Sequence, residues 1–106
     1  MDARTEAILG ELRKRFEEMY GDRLARLILY GSRARGDAHP DSDIDILVVL
    51  HGIVDASEEI ERCGQMTADL SLELGLVIAC VFISEDDFKC RQGPFLRNVR
   101  REGVTV

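Results

Sequence analysis

The spacing of hydrophobic positions changes along the chain. Between residues 3 and 20, Ile8, Leu12, Phe16 and Met19 recur at helical intervals among charged residues, and Gly21 follows where such a helix would stop. Leu24 to Tyr30 is short and mostly apolar, which predicts a buried strand delivering the chain into a turn at Gly31. A polar stretch from Ser32 to Ser42, interrupted by Gly36 and Pro40, precedes the nearly continuous apolar run Ile44 to Leu50, the pattern of a strand covered on both faces. Asp55 with Glu58 reads as a capping box opening a helix whose inward face is Ile60, Cys63, Thr67, Leu70 and Leu74, closed by Gly75. Leu76 to Ile83 predicts a third buried strand. Ser84 with Asp87 repeats the capping pattern, and Pro94 suits a first helical position, with Phe95, Leu96 and Val99 turned inward before Gly103. Residues 104–106 read as extended.

Helix, strand, turn, strand, helix, strand and short helices make a small α/β (α+β) sheet of about three to four strands covered by helices. At 106 residues this is expected to be one domain, 1–106, able to bury a core without disulfides or a structural metal. The 45% hydrophobic and 32% charged shares fit a globular protein and argue against disorder. The longest apolar run, Leu76 to Ile83, is too short to span a bilayer, and the charged N-terminal pattern lacks a signal-peptide core, so the expectation is a cytoplasmic protein with no membrane partner. Cys63, Cys80 and Cys90 form no CxxC and fall inside predicted elements, which reads as buried free thiols.

The net charge of −6 is unevenly spread. Residues 37–87 hold thirteen acids and one base, Arg62, whereas residues 88–106 hold Lys89, Arg91, Arg97, Arg100 and Arg101 against Glu102 alone. The acidic middle argues against a nucleic-acid groove and suits a site that gathers divalent metal. The basic tail suits an acidic partner or phosphates, or simply a solvated helix face.

Two places carry candidate chemistry. Gly31-Ser32, directly after a strand, lets backbone approach a ligand closely, with a hydroxyl and turn N–H groups able to donate to phosphate oxygens; an ordinary turn has the same composition. Asp43 and Asp45, two apart at the start of a strand, direct their carboxylates to one face. Two such carboxylates repel unless a cation intervenes, and Mg2+ is commonly held by one or two carboxylates plus substrate phosphates. Otherwise they are an acidic turn entering a strand.

Together, Gly31-Ser32-Arg33-Ala34-Arg35-Gly36 and Ser42-Asp43-Ile44-Asp45-Ile46-Leu47-Val48 resemble the signature of the minimal nucleotidyltransferases of the DNA polymerase beta superfamily. The resemblance runs over essentially the whole chain, through Gly93-Pro94-Phe95-Leu96-Arg97. It implies that Ser32 contacts the terminal phosphates of ATP, that Asp43 and Asp45 are catalytic and hold Mg2+, and that Arg33 and Arg35 lie near the phosphate-binding turn. Arg35 alternatively pairs with Asp37 or Asp41. The family's minimal members are commonly paired with small helical HEPN proteins, RNase toxins, which they neutralise by adenylylating a tyrosine. An HEPN-type toxin is thus the implied partner, homo-oligomerisation is compatible with the reading, and direct nucleic-acid binding is not expected.

One departure stands out. Active members carry a third carboxylate on a later strand, and counting back from Ser84-Glu85 that position is Ala79, in a strand with no acid at all. Glu73, Glu85 and Asp86 are the nearest acids, with capping or solvation as their ordinary roles. The alternative function is therefore a degenerate nucleotidyltransferase that neutralises its partner by binding alone. His39, in the loop before Asp43, is read as an exposed loop residue, and His51 is given no role.

Overall fold

The computed structural model describes residues 2–37, 39 and 42–106. Helix α1 spans Ala3–Tyr20; Asp2 accepts the Thr5 N–H at its start, and the Gly21 N–H bonds back to Glu17 at its end. A single 3-10 turn, Gly21–Arg23, leads into β1, Leu24–Tyr30. Then come α2 (Ser32–Arg35), β2 (Ile44–Leu50), α3 (Ala56–Leu74), β3 (Ile78–Ser84), α4 (Glu85–Cys90), α5 (Pro94–Glu102) and β4 (Val104–Thr105). The sheet order is β3-β2-β1-β4, with β1 antiparallel to β2 and β4, and β2 parallel to β3. Helix α3 is the crossover that a parallel pair requires.

Alternation along the strands builds two cores. Leu27, Leu29, Ile46, Val48 and Phe82 face α1 and α3, where they meet Leu12, Phe16, Cys63 and Leu70. Ile28, Leu47, Val49 and Ile83 face the other way, onto Phe88 of α4 and Leu96 and Val99 of α5. Strand β2 is covered on both faces, as its apolar run predicts. Fully burying a side chain such as Leu12 or Phe16 stabilises the fold by about 1.5–3 kcal/mol.

Several inward assignments are corrected. Tyr20 is buried where Met19 was expected, because it stands one full turn beyond Phe16 and Met19 falls at the edge of the stripe. On α3, Ile60 is 56% exposed and Glu59 only 1% exposed. The buried stripe is Glu59, Cys63 and Leu70, and it begins on a carboxylate that apolar counting skips. Strand β3 lies at a sheet edge, so Val77 and Val81 are partly exposed rather than buried. Phe95 is 44% exposed, and Cys90 is exposed while Cys63 is buried; all three cysteines are free. Ser32–Arg35, expected as part of a polar turn, forms one helical turn between Gly31 and Gly36. No described helix is long and apolar enough to cross a membrane.

Candidate active site

The site lies where β1 ends and β2 begins. Antiparallel pairing sets Tyr30 opposite Asp45, so the next residue, Gly31, turns directly beneath the Asp45 carboxylate. Gly31 has φ 76° and ψ −159°, a conformation essentially restricted to glycine. A Cβ there would collide with Asp45 Oδ2 and stand 3.3 Å from its Cγ. The chain then winds into α2, with the Ala34 and Arg35 N–H groups both donating to the Gly31 carbonyl at 3.1 Å. Ser32 is the first residue of that turn, next to Gly31, and a first-turn N–H has no acceptor within its own helix.

Arg33 is turned inward and buried. Its Nε and Nη2 donate to the Ser42 carbonyl at 2.9 and 2.8 Å, and its Nη1 donates to Thr5 Oγ1 at 3.1 Å. The guanidinium thereby ties α1 and α2 to the residue before Asp43 and fixes how the carboxylate segment enters the sheet. Arg35 pairs with Asp37 and Glu102, each at 3.4 Å, and its charge also reaches Asp45. Asp41, its other anticipated partner, lies outside the described residues.

Asp43 is exposed and Asp45 half-buried. Burial raises the Asp45 pKa above its ordinary value, the Asp43 charge adds to the rise, and Arg35 opposes it. A carboxylate held out of water beside a second one is an environment that a cation would relieve. Among the described residues no group of three or more His, Cys, Asp or Glu forms a self-contained metal cage. The pair thus fits a hard divalent ion that takes its remaining oxygens from phosphates and water.

On the other side of Asp45, the parallel register sets Ala79 directly beside it. Tyr30, Asp45 and Ala79 form one row across β1, β2 and β3, followed on the same face by Ile28, Leu47 and Val81. The Phe95 ring stands edge-on to Tyr30, with centroids 5.3 Å apart and planes at 90°. A cleft of about 360 Å³, lined by residues including Arg13, Arg26 and Val106, is at the opposite end of β1 and has no carboxylate pair, so its size is no guide to the chemistry.

Residues 9–103 match the profile of the Nucleotidyltransferase domain family. The chain belongs to this family. It is 38% identical over 99 residues to a Methanocaldococcus jannaschii protein named "Putative protein adenylyltransferase", covering 92% of this chain and 93% of the relative. A second protein of that name and organism is 28% identical over 99 residues, covering 93% and 95%. Among solved structures, a toxin-antitoxin crystallised with AMP-PNP aligns with TM-score 0.62 at 21% identity, over 90% of this chain and 69% of that one. A mutant of the toxin-antitoxin MntA-HpeT aligns with TM-score 0.64 at 19% identity, over 91% and 69%. At those identities the structures establish a shared fold, the nucleotidyltransferase fold.

Within that fold, the three acids singled out in the sequence as nearest to β3 stand away from Asp43 and Asp45. Glu85 and Asp86 follow Ser84 at the far end of β3, and the strand from Ala79 to Ser84 alone covers roughly 16 Å. Glu85 is engaged there by Lys89 at 2.7 Å and His51 at 3.4 Å. Glu73 belongs to α3, on the opposite layer of the sheet. His39 is exposed, and its backbone brackets Ser42 through bonds of 2.9 and 3.0 Å. Sequence reading passed over Tyr30, the strand partner of Asp45, and the neighbours Phe95, against the Tyr30 ring, and Val81, two residues beyond Ala79. The signal for Tyr30 was its position immediately before Gly31 on a strand antiparallel to the Asp43-Asp45 strand.

Proposed function

We propose that this nucleotidyltransferase transfers AMP from Mg-ATP to a tyrosine hydroxyl of a partner protein, an HEPN-type toxin, and thereby acts as its antitoxin. The observation that carries the reading is the juxtaposition of the Gly31-Ser32 turn with the Asp43-Asp45 pair across the Tyr30–Asp45 register. Ser32 and the turn N–H groups hold the terminal phosphates. Asp43 and Asp45 hold Mg2+, which when bound offsets charge on the phosphates and on the leaving pyrophosphate. Gly31 keeps the phosphate turn against the carboxylates, and Arg33 locks both segments in place. The names of the archaeal relatives, and the toxin-antitoxin neighbours, one of them with AMP-PNP, support the choice of protein acceptor and adenine nucleotide.

A second reading rests on Ala79 beside Asp45: the protein binds nucleotide and partner without transfer. Loss of a positioned general base lowers rates by about 100-fold to 10,000-fold, so transfer in the native chain is expected to be slow. Mass spectrometry of a partner co-expressed with the chain separates the two. The first reading expects an AMP adduct that accumulates slowly and faster with Ala79→Asp. A stable complex with no adduct in either form leaves binding alone, and failure to bind ATP overturns both.

A further inference from the structure

Strand pairing fixes an order across the sheet end: the Gly31 turn on β1, Asp45 on β2, Ala79 on β3. Displacement at the α-phosphorus is in line, so the attacking oxygen stands opposite the departing pyrophosphate. With the terminal phosphates on the β1 side, the acceptor has to arrive over β3. That strand is the sheet edge, open to a second molecule.

On that side the structure has a cleft of about 220 Å³, lined by residues including Val81, Ile83, Arg91, Pro94 and Phe95. Its volume falls below the roughly 300–1,000 Å³ of sites that enclose a drug-sized ligand, so it suits one ring rather than a nucleoside. Its exposed apolar surface comes from Val81, two residues beyond Ala79 on the same face, and from Phe95, whose ring touches Tyr30, the strand partner of Asp45. One base, Arg91, lines the cleft, and its side chain has no ion pair among the described residues.

We propose that this cleft is the acceptor subsite, holding the ring of a tyrosine presented by an acidic segment of the partner protein. The inference rests on the AMP-transfer reading above. The phenolic oxygen forms a bond to the α-phosphorus, the bond from that phosphorus to the bridging oxygen breaks, and pyrophosphate leaves with the electron pair. The phenolic proton passes to solvent across the open β3 edge, since Ala79 supplies no base there. A phenol, ionising near ~10, releases that proton far more readily than a serine or threonine hydroxyl, so a site lacking a base is matched to an aromatic acceptor. Phe95 and Val81 act as acceptor-binding residues.

The test is an NMR titration of the isotopically labelled chain, with Mg2+ and α,β-methylene-ATP present, using N-acetyl-tyrosinamide, N-acetyl-serinamide and adenosine as probes. The tyrosine compound should give saturable shifts at Val81, Gly93 and Phe95, and the serine compound none. A peptide with glutamates flanking its tyrosine should shift these signals at lower concentration than one with flanking lysines. Phe95→Ala and, independently, Val81→Lys should abolish the tyrosine shifts while ATP affinity stays within about twofold; both positions are partly exposed, and thermal melts check that the variants fold. Shifts from adenosine at these residues, with Phe95→Ala weakening ATP by more than about tenfold, would make the cleft a nucleobase site and overturn the proposal. Absence of tyrosine shifts at the solubility limit overturns it equally, and a preference for the lysine-flanked peptide removes its acidic partner. Failure of the native chain to bind ATP, read in a separate titration, counts against the transfer reading itself.

Discussion

Glu59 and Asp45 are both carboxylates withdrawn from water, and the molecule treats them in opposite ways. Glu59, between α1 and α3, accepts hydrogen bonds from the Tyr20 hydroxyl and Arg23, each at 2.8 Å, and has Arg62 at 3.6 Å. Burial pushes its pKa up, but those hydrogen bonds and the two guanidinium charges outweigh burial and hold it below its ordinary 4.5. Asp45 has no such shell: burial and Asp43 raise its pKa, with only the more distant charge of Arg35 in opposition. A buried charge with its partners in place ties elements together, whereas a half-buried carboxylate held beside a second one suits a cation from outside the chain.

That contrast can be broken most forcefully at Glu59. Glu59→Ala leaves the Tyr20 hydroxyl and two guanidinium groups without their acceptor. Since Arg23 and Arg62 are partly hydrated, the loss expected in urea denaturation is about 2–3 kcal/mol, below the range for a fully buried pair, with ATP affinity unchanged. Gly31→Ala should affect both properties. The strained φ costs about 1–3 kcal/mol, and the new methyl group displaces the Asp45 carboxylate, so ATP binding weakens by at least about tenfold.

The two carboxylates should also give pH dependences of opposite sign. Glu59, with its folded pKa lowered, contributes stability that is present above its unfolded value of 4.5 and lost as pH falls through the folded one. Asp45, with its folded pKa raised, binds its proton more tightly folded than unfolded, so its contribution falls as pH rises from 3.8 through the folded value. Thermal melts against pH should therefore show Glu59→Gln flattening the acid limb. The smallest effect expected is a gain for Asp45→Asn of about a degree or two at pH 7, vanishing at pH 3. Equal pH profiles for the two variants would mean that both carboxylates are structural.

The strands were legible because β2 is apolar along nearly its whole length and Gly31, Gly75 and Gly103 punctuate the elements around it. The helix ends were legible through Asp55 and Ser84, whose side chains accept from Glu58 and Asp87. Glu59 was missed because a buried acid is stabilised by Tyr20 and Arg23, 39 and 36 residues away in sequence, and no local pattern carries that information. The side-chain direction of Arg33 was likewise invisible: its basic type suggests phosphate, while its contacts run to Thr5 and Ser42. Ala79 was located by counting, but its position beside Asp45 depends on the parallel register of two strands joined by α3.

The most direct test of the site at Asp43 and Asp45 is calorimetric titration of ATP into the native chain and into Asp45→Asn, each with Mg2+ and with EDTA. Binding should require Mg2+ in the native chain and weaken by at least about tenfold in Asp45→Asn, because an amide is a poorer ligand for a hard cation than a carboxylate. ATP binding that is indifferent both to EDTA and to the substitution would contradict the assignment of this pair as the metal-nucleotide site.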